Sequence, residues 1–442
     1  MLTFLDAFDE ITDETSKACV ACGDCFEACP ITDDAGLTGA DCETVTVGIL
    51  QMIAEGTGPD AAKQWANACV LSGDCISACA HGVNPRLLLS MARIGETRDA
   101  APLKERRRDG VDAFKGLGRD VRVLSQIQLN DADLSRLNPS VATRDRPKPP
   151  DVIFYTGCNV LKTPHIALLC LDIMDLLGVD YMVQGGPSHC CGILQMRTGD
   201  IEAAGRMGVA TLDKFAATGA SRVLTWCPSC FVNFSEAIIP AAKRAQNNID
   251  TEMTPFVIYL LERLEDLRPH LKHRVPIKVA LHAHRGVKDV PEAARQLLAA
   301  TPGVEVIDLG MPDPGLMSNS FRALPDFRRD LHTRELRAAA DAGVDALAAV
   351  YHADHRELCA HERDWPFLIV NLLDIVGAGL GLQQDDIYKR LKVTQDADAI
   401  LEDCAEKLKQ RGISLDAARP VVENALLADQ PLPLLPASQE TG

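Results

Sequence analysis

Short, continuous apolar runs punctuate the middle of this chain, each closing on a turn that carries cysteine. VIFY from Val152 leads to Cys158, YMVQ from Tyr181 leads to Ser188, His189, Cys190, Cys191 and Gly192, and the segment 222–226 of RVLTWCPSC delivers Cys227 and Cys230. Between them lie stretches of helical length, such as HIALLCLDIMDLLGV from His165. Strands alternating with helices predict a parallel sheet flanked by helices, and each cysteine group then follows a strand, where open α/β sheets place their ligand sites.

The same pattern returns further on. KVALHAH from Lys278 aligns with VIFYTGC from Val152, an offset of 126 residues, and PFLIVNLLD from Pro366 echoes PFVIYLLER from Pro255. VDALAAVYHADH ends as RVLTWCPSC does, which predicts a duplicated α/β fold. Before it the pattern is helical. RLLLSMARI from Arg86 makes an apolar stripe, and LKERRRDG from Leu103 closes on charge and glycine. Lys104, Arg106, Arg107 and Arg108 form either a docking patch or a solvated helix face. The proline- and charge-rich stretch 138–150 reads as a linker. Beyond Val393 a helical segment, DADAILEDCAEKLKQRG, gives way to LADQPLPLLPASQETG, a tail expected to be disordered or to clasp a partner.

At 442 residues the chain exceeds what one hydrophobic core organises. Its 16 cysteines do not read as a secreted disulfide scaffold, because such chains are short and the acidic start MLTFLDAFDEITDE lacks a basic n-region and a cleavage site. Thiols in a reducing, cytoplasmic setting are therefore expected. No apolar run nears the roughly 20 residues of a membrane-spanning helix, so membrane contact is expected only peripherally or through a partner. A net charge of -17 argues against nucleic-acid binding. Residues 1–85 hold 14 Asp and Glu against Lys17 and Lys63, an acidic surface that either steers a basic redox partner or merely aids solubility.

CVACGDCFEACP, from Cys19 to Pro30, has the C-x2-C-x2-C-x3-C-P spacing of a ferredoxin cluster loop, with Cys19, Cys22, Cys25 and Cys29 as thiolates. CVLSGDCISAC, from Cys69 to Cys79, repeats it with Ser72 in place of the second cysteine. In two-cluster ferredoxins the fourth cysteine of a loop serves the other cluster. That topology assigns Cys19, Cys22, Cys25 and Cys79 to a [4Fe-4S] cluster, and leaves Cys29, Cys69 and Cys75 for a [3Fe-4S] cluster. Ser72 ligation of a fourth iron, or rescue by Cys42, would make the second a [4Fe-4S] cluster instead. This half resembles the helical two-cluster part of the iron-sulfur subunit of succinate dehydrogenase and fumarate reductase, whose second loop reads C-x5-C-x3-C before a Gly-Leu-Asn-Pro-like stretch. Here that stretch is His81, Gly82, Val83, Asn84 and Pro85. The resemblance does not extend to that subunit's plant-type [2Fe-2S] domain.

The later cysteines form C-x31-C-C-x35-C-x2-C. Five thiolates exceed what one cubane or one zinc needs. The pattern resembles the cysteine-rich CCG domain of heterodisulfide reductase, and Cys158, Cys190, Cys191, Cys227 and Cys230 fill every position of that motif. The fusion of ferredoxin loops to this domain resembles the D-type subunit of that enzyme, the glycolate oxidase iron-sulfur subunit and the C-type subunit of anaerobic glycerol-3-phosphate dehydrogenase. The resemblance implies a noncubane [4Fe-4S] cluster on those five residues, with Cys190 and Cys191 at the point of chemistry. It further implies an electron-transfer subunit working between a flavoprotein or other redox partner and a thiol/disulfide or quinone acceptor, a membrane-anchor subunit being a further candidate partner. The alternative is a catalytic subunit that cleaves a substrate disulfide at the noncubane cluster.

The expected layout is an α-helical ferredoxin-like domain over 1–125 with [4Fe-4S] and [3Fe-4S] clusters, a linker over 126–150, a first CCG repeat over 151–276, a degenerate second repeat over 277–392, and a C-terminal helix and tail over 393–442. The second repeat reads LMSNSF where CCG is expected, so it lacks the ligands for a second noncubane cluster. It places His284 at the position of Cys158, His352 at that of Cys227 and His355 at that of Cys230. Three imidazoles suit zinc or mononuclear iron, with His282 or Asp354 as a fourth ligand or a supporting contact. A polar pocket facing a substrate, or purely structural histidines, are the competing readings. Cys170, Cys359 and Cys404 have no cysteine at ligand spacing and are read as packed core thiols.

Overall fold

The computed structural model describes residues 2–139, 148–246 and 249–434. Among the described residues those up to Leu137 form helices and turns, and the rest is built on two parallel sheets. The first sheet has β1 (Val152–Tyr155), β2 (Tyr181–Gln184), β3 (Arg222–Thr225) and β4 (Glu252–Pro255) in the order β2-β1-β3-β4. The second has β5 (Lys278–His282), β6 (Glu305–Ile307), β7 (Ala346–Ala349) and β8 (Leu368–Asn371) in the order β6-β5-β7-β8. Every pairing is parallel, with Val152 opposite Tyr181 in one sheet and Lys278 opposite Glu305 in the other. β1 and β7 are buried along their whole length, as central parallel strands covered on both faces must be.

The two sheets share a core. Phe154 and Leu168 belong to the same cluster of buried side chains as Leu297 and Leu373, and helix Pro164–Leu176 packs against helix Leu372–Leu380. Helix Pro164–Leu176 begins with proline at its first position, where the missing N–H costs nothing and the fixed φ suits the helix.

The helical region packs mainly on the first sheet's helices. Its opening helix, Phe4–Ala18, lies against helices Ile201–Ala216 and Ile239–Gln246, and the Phe4 ring fills the place where Gly205 would otherwise carry a Cβ. Helix Pro85–Ala100 is capped by Asn84, whose Oδ1 accepts from the Leu87 N–H at 3.1 Å.

LKERRRDG differs from its expectation, since it opens the 26-residue helix Leu103–Gln128 instead of closing one. Gly110 is a packing position, where a Cβ would stand 3.0 Å from Thr198 Oγ1. The basic cluster also divides. Arg106 is buried and donates to the Gly199 and Ala101 carbonyls, and Arg107 pairs with Asp200, so both fasten the helical region to the first α/β half. Lys104 and Arg108 remain exposed.

Of the stretch 138–150, residues 140–147 lie outside the described residues, and so do 435–442 of the tail. The part of the tail that is described folds back: Asp429 meets Arg356 and Arg322, and its carbonyl accepts from the Lys392 ammonium.

Candidate functional site

The five later cysteines gather at the C-terminal ends of β1, β2 and β3. Cys158 follows β1 through Gly157, Cys190 and Cys191 lie between the short turns Pro187–His189 and Ile193–Arg197, and Cys227 caps helix Pro228–Asn233, which carries Cys230. Cys190, Cys191, Cys227 and Cys230 are each no more than 5% exposed, and all five are free thiols. Cys230 Sγ stands 3.6 Å from Cys191 Sγ. The thiol of Cys230 also lies 3.9 Å from the Tyr155 hydroxyl, which donates to the His189 carbonyl at 2.7 Å. Gly157 has φ +61, and a Cβ there would sit 3.2 Å from Cys230 Sγ.

The thiols share charge unequally. Hydrogen bonds from Cys190 and Cys230 hold Cys191 well below its ordinary range, and Cys230 followed by His352 does the same for Cys227. Their donors Cys190 and Cys230 are pushed up in return, and burial, with Cys191 and Cys227 beside it, raises Cys158 to about 12. Five thiols this close in a buried site suit a positive group that would hold them as thiolates, the ligating form. Arg197 acts electrostatically on Cys191 and Cys227, with Arg93 and Arg322 near enough to repel it. His352 reaches this site from the other sheet. Its repeat position alone pointed to a separate metal set, and no local signal indicated that it meets Cys227.

Gly192 shapes the turn after the cysteine pair. Its φ is +82, its N–H lies 3.4 Å from Cys190 Sγ, and an added Cβ would meet the Ala204 carbonyl oxygen at 2.5 Å. Gly192→Ala is expected to destabilise the fold by about 1–3 kcal/mol from backbone strain alone, and more from the collision. Gly39, with φ +76 and nothing within 4 Å, is the control. Denaturant midpoints of the two alanine variants should separate strain from contact, and equal losses would remove the packing role given to Gly192.

In the helical region the two loops have matching backbones. Ala21 and Leu71 have φ of 54 and 64, and Gly23 and Gly73 have φ of 86 and 82. Ser72 thus occupies the place of Cys22 in an equivalent turn. One cavity is lined by Cys19, Cys22, Cys25 and Cys79, and a second by Cys29, Cys69, Cys75 and Ser72, with Trp65 and Arg86. Burial pushes Cys25 up to about 11, against the pull of Thr46, and also raises Cys75, whose nearby cation is Arg86. Cys42 belongs to neither lining and packs instead where Gly23 lacks a Cβ.

The structure does not bring His284, His352 and His355 together as one ligand set. Among the described residues, His284 groups with His282 and Asp354, while His355 groups with His165 and Asp386. His355 Nε2 stands 2.7 Å from Asp386 Oδ2, and His352 turns to Cys227. The reason is that helix His352–Leu358 packs against β7 and β8 of its own sheet and against the turn Asn159–Lys162 that follows Cys158, so successive faces of it meet different neighbours. Cys170, Cys359 and Cys404 are buried, and burial raises Cys359 to about 12 and Cys404 to about 11.

Comparison with known proteins bears on the thiol site. Residues 152–235 match the CCG family model, described as a cysteine-rich domain, and the match spans all five thiols. The chain is 24% identical over 234 residues to the D-type subunit of the dihydromethanophenazine:CoB--CoM heterodisulfide reductase of Methanosarcina acetivorans, covering 49% of this chain and 54% of that protein. It is 25% identical over 276 residues to the protein of the same name in Methanosarcina mazei, covering 56% and 63%. The chain thus spans less than two thirds of the length of these curated relatives. No solved structure matches it. With five thiols converging at the strand ends that the family model covers, residues 152–235 form a CCG cysteine-rich domain, carried by a chain that is similar to the D-type subunit of heterodisulfide reductase.

Proposed function

We propose that the chain is an iron-sulfur subunit of a heterodisulfide reductase-like oxidoreductase, relaying electrons between a flavoprotein or other redox partner and a thiol/disulfide or quinone acceptor. The five-thiol pocket carries the reading, because five free cysteines from three strand ends converge in one site, four of them buried and with Cys230 Sγ 3.6 Å from Cys191 Sγ. Cys158, Cys190, Cys191, Cys227 and Cys230 would hold a noncubane [4Fe-4S] cluster. Cys19, Cys22, Cys25 and Cys79 would hold a [4Fe-4S] cluster, and Cys29, Cys69 and Cys75 a [3Fe-4S] cluster. Bound clusters of these kinds take up and release single electrons. Around them the chain's own groups set the field: Arg86 offers positive charge beside Cys75, and Thr46 hydrogen-bonds Cys25.

A second reading, catalytic cleavage of a substrate disulfide, is favoured by His352. Reducing R–S–S–R′ breaks the S–S bond, consumes two electrons and two protons, and yields two thiols. An imidazole against Cys227 is placed to hold one such proton, and Arg197 would attract an anionic substrate. Among the described residues no helix is long and apolar enough to cross a membrane, so a quinone acceptor would be met through a membrane-anchor partner.

Anaerobically purified protein should oxidise reduced viologen with a disulfide or a quinone as acceptor, and inactivity with both acceptors in the native complex would overturn the proposal. Oxidised protein should also show the sharp EPR signal of a [3Fe-4S] centre. Ser72→Cys should abolish that signal and lower the potential of the site, because an added thiolate favours the oxidised cluster. A wild-type protein without the signal but with full cubanes would remove the three-iron assignment.

A further inference from the structure

The second sheet carries a buried cluster at the end where the first sheet carries its thiols. His282, His284 and Asp354 are each at most 2% exposed, and one ligand atom from each lies within 4.8 Å of the others. The hydrogen-bond partners fix the tautomers. His284 Nδ1 lies 2.7 Å from the Pro314 carbonyl, which can only accept, so Nδ1 carries the proton. His282 Nδ1 lies 2.7 Å from Glu335 Oε2 and 2.9 Å from Oε1, and likewise donates.

With both rings neutral the two Nε2 atoms present lone pairs to each other at 3.2 Å. Against the desolvation of burial, the carboxylates of Glu335, Asp354 and Glu357 raise His282 to about 9, so without a metal a proton on His282 Nε2 bridges the pair. Asp354 Oδ1 adds a third donor 3.6 Å from His284 Nε2, while Asp354 Oδ2 is buried with no hydrogen-bond partner. Converging lone pairs in a dry site repel unless a proton or a metal cation sits among them, and a metal ion binding there would displace that proton. Two imidazole nitrogens on one tetrahedral zinc, at about 2.0–2.1 Å each, would lie about 3.3 Å apart.

We propose that His282 Nε2, His284 Nε2 and Asp354 bind one divalent metal ion of the zinc class. Glu335 and the Pro314 carbonyl orient the two rings from behind, the outer contacts that metal-bound histidines characteristically make. Ser318 Oγ, 3.0 Å from His282 Nε2, stands at the remaining side, and its N–H donates to Asp354 Oδ1 at 2.8 Å. The ion would also tie down helix His352–Leu358, which carries Asp354 and presents His352 to Cys227. The inference does not depend on which clusters the cysteines hold.

The test is zinc analysis and zinc K-edge absorption on the full chain, purified anaerobically from zinc-supplemented medium. About one zinc per chain is expected, with a first shell of nitrogen and oxygen only at about 2.0–2.1 Å. His284→Gln and Asp354→Asn should each lower zinc at least tenfold while iron and sulfide contents stay unchanged. Sulfur in the zinc shell would place the ion at cysteines and overturn the proposal. So would absence of zinc, which would mean that a proton shared between the rings closes the cluster. The absorption measurement on unaltered protein decides even if a variant fails to fold.

Discussion

Replacing Cys190 or Cys191 with alanine should abolish turnover with disulfide and quinone acceptors alike. The two residues sit side by side at the head of the turn fixed by Gly192, and Cys191 Sγ lies 3.6 Å from Cys230 Sγ. Even outer contacts at metal sites cost about 10–100-fold when lost, so removal of a ligand should cost on the order of 100-fold or more. The helical region's thiols line separate cavities and should keep their clusters, so dithionite-reduced variants should retain the EPR signals of those centres. Acceptor-linked viologen oxidation measures the loss. Survival of both activities would make the five-thiol pocket structural.

Arg86→Leu should destabilise the protein by about 3–5 kcal/mol, the scale seen when one partner of a buried ion pair is removed. Arg86 joins three parts of the molecule. It is 6% exposed, pairs with Glu236 just beyond the Cys230 helix, and donates to the Leu71 carbonyl at 3.1 Å and the Gly286 carbonyl at 2.6 Å. Removing it strands a carboxylate only 18% exposed, the buried Gly286 carbonyl and the part-buried Leu71 carbonyl. The double variant Arg86→Leu/Glu236→Leu should recover part of the loss, because the uncompensated charge goes while the carbonyls stay unpaired. Arg86 is also the cation acting on Cys75, so the centre bound there should be harder to reduce in Arg86→Leu. Denaturant unfolding followed by circular dichroism, and a redox titration of the same variant, check the two effects. An unchanged midpoint would show that Arg86 does not hold the regions together.

The thiol sites were readable because their information is local. Cluster ligands come at fixed short spacings, and a buried parallel strand such as VIFY is apolar throughout while RVLT keeps an apolar Val-Leu centre, so contiguous residues announce both the strand and the turn after it. The edge strands β4 and β6 carried no such mark, being partly exposed and not continuously apolar. The likeness of the two halves was visible in aligned segments, and both sheets have the same strand order. What the histidines do was not visible. His282 depends on Glu335, 53 residues away, His355 on Asp386, 31 residues away, and His352 on Cys227 in the other sheet. Periodicity and spacing report on neighbours along the chain. Which buried ring meets which carboxylate or thiol is decided by how two sheets and the helices between them close on one core, and only the tertiary structure contains that.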